Sequence, residues 1–196
     1  AQTKAARKSA GDNMCVVVGG GAGRSEATKK AIRQYLSGAE VSAVIDADAI
    51  HAVGGEAEKL QAGNFLFTPH AYEFFVLTGK KIKGLSHEEK QELVKEEAAR
   101  LGSTILLKEK PDIVSDGERV ALTEAGSPYM SVGGTGDTLA GVCAALIARG
   151  ATPMEAGELG THLLGLAGHL AAETWLDGVT PMEIIEVIPE IIKKYV

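Results

Sequence analysis

The residues best suited to chemistry are Gly133-Gly134-Thr135-Gly136-Asp137, which precede an apolar run reading as a helix to Arg149. Glycines at a helix mouth leave backbone N–H groups pointing outward, and the helix dipole adds roughly half a positive charge there. Phosphate oxygens fit such a place. The sequence puts Asp137 at the first helical position, beside that phosphate, where a carboxylate could take a proton from an attacking hydroxyl. The plainer alternative is that Asp137 only complements the dipole and the glycines only turn the chain. The Gly-x-x-x-x-Gly-Lys-Ser/Thr pattern of P-loop proteins is absent.

Thr68-Pro69-His70-Ala71-Tyr72-Glu73 is a second candidate. His70 and Glu73 are three apart, so they share a face if a helix starts here. Glu73 could hold a hydrated Mg²⁺, which favours a carboxylate together with phosphate oxygens; His70 could hydrogen-bond a polar substrate. The plainer alternative has Glu73 as a first-turn partner of the helix dipole and His70 as a cap. Asp46-Ala47-Asp48 follows an apolar run and could orient a metal or a ligand hydroxyl, or could cap the next helix. Gly19–Gly23 (GGGAG) allows close approach of backbone to a ligand, or is a plain turn. Lys108 ends an apolar run and could meet a phosphate, or could be an ordinary surface lysine. His51, His87, His162 and His169 lack metal-like partners and are assigned to structure.

These groups need elements to position them. Met14–Val18, Val41–Ile45, Phe65–Phe67 and Thr104–Lys108 are short apolar runs that read as buried strands. Ser25–Leu36 reads as a helix capped by Ser25 and stopped by Gly38, and Ser86–Leu101 as a helix opened by the capping box Ser86-x-x-Glu89 and closed by Gly102. Asp112–Ser115 and Glu118–Thr123 flank Asp116-Gly117, a hairpin signal. Thr152-Pro153-Met154-Glu155 and Thr180-Pro181-Met182-Glu183 each place Thr, Pro and Glu at N-cap, N1 and N3. Strands alternating with helices, apolar throughout, argue a mostly parallel sheet covered on both faces. In such sheets ligands bind at the C-terminal strand ends, where the polar candidates gather.

Composition agrees. The 196 residues are 45% hydrophobic and 23% charged, an ordinary globular balance of single-domain size, so the whole of 1–196 reads as one domain, with 1–13 a flexible or truncated start. A net charge of −6 argues against a general affinity for nucleic acid or anionic membrane. No apolar run reaches the roughly 18 residues of a membrane span. Cys15 and Cys143 sit in apolar contexts and read as buried thiols of a cytoplasmic protein.

Taken together the motifs resemble the ADP- or ATP-dependent NAD(P)H-hydrate dehydratase family of the ribokinase-like superfamily. The resemblance rests on VVVGGGAG (Val16–Gly23), VIDADAI (Val44–Ile50), FTPHAYEF (Phe67–Phe74), TILLK (Thr104–Lys108) and GGTGDTLAGVCAALIARG (Gly133–Gly150). THLLGLAGHLAA (Thr161–Ala172) and GVTPMEIIEVIP (Gly178–Pro189) also fit, in order, from about Met14 to the end.

The resemblance implies a three-layer α/β/α fold with a mostly parallel sheet, lacking its N-terminal units. It implies ADP or ATP as co-substrate, Mg²⁺, and as substrate NADHX or NADPHX, the reduced nicotinamide nucleotides hydrated at C6. A carbohydrate or other small-molecule kinase of the same superfamily is the alternative. On this reading Asp137 is the base, and Lys108, Gly134, Thr135 and Gly136 hold the nucleotide. Gly21, Gly23, His70 and Asp137 contact the substrate, Glu73 places the metal, and the protein is a homo-oligomer. The chain departs from the family twice. Glu109-Lys110-Pro111-Asp112 stands where a Lys-Gly and then a Thr are usual, and Gly19-Gly20-Gly21 lacks the usual proline.

Overall fold

Alternate residues of each central strand face opposite layers, and this simple period organises the molecule. The computed structural model describes residues 15–38, 41–60 and 64–194; the expected strand start at Met14 and the opening segment lie outside them. In chain order the elements are β1 (Cys15–Val18), α1 (Glu26–Leu36), β2 (Ser42–Ile45), α2 (Ala47–Val53), β3 (Phe65–Phe67), α3 (Ala71–Thr78) and α4 (His87–Leu101). Next come β4 (Thr104–Leu107), β5 (Asp112–Ser115), β6 (Val120–Thr123), α5 (Thr135–Ala148), α6 (Pro153–Trp175) and α7 (Pro181–Lys193). Among the described residues the sheet runs in the order β1-β2-β3-β4-β5-β6. The first four strands are parallel, and the last two add as an antiparallel hairpin.

Ala43, Ile45, Phe65, Phe67, Ile105, Leu107 and Ile113 point to one core, shared with Leu36, Ile50, Phe74, Leu77, Val94 and Ala98 of the first four helices. Val44, Leu66, Leu106 and Val114 point to the other, shared with Leu139 and Cys143 of α5, Leu164 and Ala167 of α6, and Ile184 and Ile191 of α7. Phe65 and Phe67 are each 1% exposed, and burying such a side chain contributes about 1.5–3 kcal/mol. The result is the three-layer α/β/α arrangement expected.

Helix starts follow local chemistry. Ser25, Ser86, Thr152 and Thr180 each accept a first-turn N–H, and the last three pair with Glu89, Glu155 and Glu183 in capping boxes. The hairpin is shorter than expected. Asp116 Oδ1 accepts from the N–H groups of Glu118 and Arg119, at 2.9 and 3.0 Å, drawing both into the turn, so β6 begins at Val120 rather than Glu118. β4 ends at Leu107, with Lys108 kept in line by one bridge to His70. Among the described residues no helix is long and apolar enough to cross a membrane.

Candidate active site

Four parallel strands end on the same edge, and each hands over a polar group there. After β1 the chain turns through Gly19, at φ 134°, with its Cα against the Asp46 carbonyl; a methyl group would lie 1.8 Å from that oxygen, so only glycine fits. Gly20 lies beside Asp137, its missing Cβ 2.7 Å from Oδ1. Gly21 and Gly23, at φ 64° and 83°, are exposed and face open space.

After β2, Ala47 sits at φ 47°, a costly left-handed conformation for a residue with a side chain. Its two neighbours go separate ways. Asp46, 4% exposed, turns inward and meets the Lys108 ammonium at 2.9 Å. Asp48 turns outward, accepting the Gly23 N–H at 2.8 Å and pairing with Arg24 Nε at 2.6 Å. The Arg24 bond, then the Gly23 N–H, hold the Asp48 carboxyl below its usual range.

After β3, His70 caps α3. Its Nδ1 accepts from Tyr72 N–H at 3.1 Å and from Glu73 N–H at 3.4 Å, while Glu73 Oε2 accepts the His70 N–H at 3.0 Å. With Nδ1 an acceptor, the proton of a neutral His70 belongs on Nε2. Glu73 Oε2 also stands 4.0 Å from the Lys108 ammonium. Lys108, at the end of β4, thus lies between two buried carboxylates, and its Nζ is 3.5 Å from where a side chain on Gly136 would begin.

The helix mouth is open. Gly134 is the N-cap of α5 at φ 96°, with no side-chain cap, and the amides of Gly134, Gly136 and Asp137 have no acceptor among the described residues. Asp137 is exposed at the third helical position, not the first as the sequence suggests. Gly134 takes the left-handed cap conformation itself, so the helix starts two residues earlier than Asp137. The Thr135 hydroxyl donates to the Met130 carbonyl at 2.9 Å and its N–H to the Val132 carbonyl at 3.4 Å, so both donors are engaged within the loop.

Beside this mouth lies an open cleft of about 540 Å³, walled by Lys108–Lys110, Asp112, the Thr123–Pro128 loop, Met130, Thr135, Gly136 and Leu139, and floored by Thr161, Leu164 and Gly165. The unusual Glu109 is part of it, but its carboxylate is paired with Lys90 at 2.5 Å. Asp112 accepts the Glu109 N–H at 3.0 Å, and burial pushes its carboxyl up to about 6, against the opposing pull of that N–H and of Lys108.

Most of the predicted groups converge: Gly20, Asp46, His70, Glu73, Lys108, Gly136 and Asp137 meet around one strand-end edge. Sequence reading missed Lys90, Asp112 and the loop after β6. Lys90 and Glu109 are distant in sequence, and only packing of α4 against the hairpin brings them together. The DG turn signalled the hairpin, but nothing local shows which face of it borders the site.

A mostly parallel sheet with a glycine-capped helix mouth at its strand ends defines a ribokinase-like α/β/α protein. The solved structures agree. The fold matches Bacillus subtilis YxkO with a TM-score of 0.83 and 25% identity over 99% of this chain and 72% of that one. It matches a ribokinase-like superfamily protein from Enterococcus faecalis with a TM-score of 0.80 and 27% identity, over 99% of this chain and 66% of that one. The sequence profile of the NAD(P)H-hydrate dehydratase family matches residues 2–190, and the chain belongs to that family.

Among curated relatives, a bifunctional NAD(P)H-hydrate repair enzyme Nnr from Hyperthermus butylicus is 43% identical over 180 residues, which is 89% of this chain and 34% of that protein. An ADP-dependent (S)-NAD(P)H-hydrate dehydratase from Cenarchaeum symbiosum is 39% identical over 132 residues, 67% of this chain and 46% of that protein. The chain therefore spans between about a third and a half of the length of these relatives.

Proposed function

We propose that this chain catalyses dehydration of hydrated NADH or NADPH at the expense of ADP or ATP. The observation that carries the reading is an exposed Asp137 next to unpartnered α5 amides at the mouth of an open cleft. The cleft takes the phosphoryl donor. The amides of Gly134 and Gly136 and the Lys108 ammonium stabilise charge spread over the transferring group, which is the main way such transfers are catalysed. Asp137 accepts the proton of the substrate 6-hydroxyl as its oxygen attacks the terminal phosphorus and the nucleotide leaves one phosphate shorter. The ring-nitrogen lone pair then expels the new phosphate as the C6–O bond breaks, and the iminium ion so formed loses a C5 proton to the departing phosphate, which restores the C5=C6 double bond of the reduced nicotinamide. His70, Gly21 and Gly23 border the substrate. The family name and the names of the relatives support this choice of substrate over a stable phosphate ester.

Magnesium accompanies nucleotide phosphates in such reactions and neutralises their charge. The geometry is a poor fit for Glu73 as a direct ligand. Its side chain is 6% exposed, Oε2 accepts an N–H, and an ammonium stands 4.0 Å away. Among the described residues no group of three or more His, Cys, Asp or Glu could hold a metal ion. We assign the metal to the nucleotide's own phosphates, and Glu73 to support of His70 and Lys108.

The test is to supply hydrated NADH, ADP and Mg²⁺ and follow recovery of the near-ultraviolet band of the reduced nicotinamide. Wild type is expected to restore it, and Asp137→Ala to lose several hundredfold, within the roughly 10²–10⁴ that removal of a general base costs. Undiminished activity in the variant refutes the mechanism. A stable phosphorylated hydrate without recovery of the band points to the kinase alternative.

A further inference from the structure

On the Gly20–His70 side of Asp137, away from the cleft, a group of rings lies bare on the surface. Tyr72 is 60% exposed. Its ring centroid is 5.9 Å from His51 and 6.5 Å from both His70 and Phe75, with the His70 ring inclined by only 23°. A single exposed aromatic is ordinary, but here two imidazoles buttress the tyrosine and extend one π surface from α2 to α3. Burial, then the nearby Arg24, hold His51 below its ordinary range, so it braces the ring as a neutral group.

Arg24 flanks this surface. Asp48 fixes it through Nε alone, and its two terminal nitrogens have no partner among the described residues. The same Asp48 holds the Gly23 N–H, so the arginine is tied to the glycine turn beside Asp137. Phosphoryl donor and acceptor oxygen must approach in line, from opposite sides of the transferring group. The cleft is lined by Gly136 but not by Asp137, whose carboxylate faces Gly20. An acceptor reacting with Asp137 therefore lies on the Gly20–His70 side, and a long acceptor must run on across it.

We propose that Tyr72, braced by His51 and His70, is the stacking platform for the purine of the dinucleotide acceptor, and that Arg24 reads a 2′-phosphate on its ribose. This deepens the dehydratase reading and rests on it for the identity of the acceptor. An aromatic face suits any purine, and a guanidinium with free terminal nitrogens suits a phosphate dianion.

The experiment measures kcat and KM for hydrated NADH and hydrated NADPH in wild type, Tyr72→Ala, Tyr72→Phe and Arg24→Gln, with thermal melting to confirm folding. Tyr72→Ala is expected to raise KM about tenfold for both substrates, with a much smaller change in kcat, as loss of one base stack does. Tyr72→Phe, which keeps the ring, should restore KM to within about twofold of wild type. Arg24→Gln is expected to raise KM for the phosphorylated substrate about tenfold more than for the unphosphorylated one. A Tyr72→Ala KM at the wild-type value, or an Arg24→Gln effect equal for both substrates, overturns the proposal.

Wild-type turnover tests the reaction separately from the platform. Should wild type not turn over, titration of NADPH and NADH by nicotinamide fluorescence decides the platform on the same criteria. Weaker binding in Tyr72→Ala, with selective loss of NADPH in Arg24→Gln, supports it; unchanged binding in both refutes it.

Discussion

In the proposed reaction Asp137 works only if its carboxylate faces the acceptor, and Gly20 keeps the space beside that carboxylate clear. The backbone of Gly20 does not need glycine, since it lies outside the left-handed region, but a methyl there would fall 2.7 Å from Asp137 Oδ1. Gly20→Ala is therefore expected to displace the base while leaving the fold intact. kcat should fall about a hundredfold, as for a misplacement near 1 Å, with the melting temperature unchanged; turnover and thermal melts check this. Gly21 is the converse, with open space for a methyl but φ 64°. Glycines in this turn were legible as a close approach, but that Asp137 is what approaches was not, because the two residues are more than a hundred positions apart.

α6 forms the floor of the cleft through small residues. Along its length, side chains on Gly157, Gly160, Gly165 and Gly168 would meet Val114, Cys143, Ala125 and Met130 in turn. The consequences differ by what is met. At Gly165 the obstacle is backbone, with the Ala125 carbonyl carbon 2.6 Å away, and Ala125 lines the cleft. Gly165→Ala should therefore cost about 1–3 kcal/mol of stability through overpacking and weaken ADP binding, read by chemical unfolding and nucleotide titration. At Gly168 the obstacle is the thioether of Met130, a flexible tail that can move aside. The start of α6 was plain in the sequence because a capping box spans only four residues, Thr152 to Glu155. Its small-residue face has no such local rule, since its partners come from β5, α5 and the loop after β6.

Across the whole molecule the charge balance of the cleft is unusual for the phosphate site proposed for it. Glu109 and Asp112 both border it, one neutralised by Lys90 and the other pushed up to about 6 by burial. Asp112 titrates above its unfolded value of 3.8, so between about pH 4 and pH 6 the folded chain binds more protons than the unfolded one. Its neutral form stabilises fully below that window, and the contribution is lost as pH rises through it. Asp112→Asn removes the ionisation and can still accept the Glu109 N–H. The variant is expected to melt above wild type at about pH 8 and no higher than wild type at about pH 4. ADP binding to wild type should also weaken as pH rises through about 6, when a second anion appears in the cleft wall. Melting and ADP titration across pH check both.

The central strands, the capped helix starts and the presence of a glycine-rich mouth before α5 were readable in the sequence, because each rests on side chains within a few positions of one another; the first residues of α5 and of β6 were not. The sequence also marked Asp46, His70, Lys108 and Asp137 as groups at strand ends. What those groups meet in space is set by the packing of distant segments. Packing of parallel strands set Lys108 between Asp46 and Glu73, buried the Glu73 side chain, brought Lys90 to Glu109 and exposed Tyr72 between two histidines. Such pairings cross the sheet or join different helices, and their energies depend on distance and burial that no local spacing encodes.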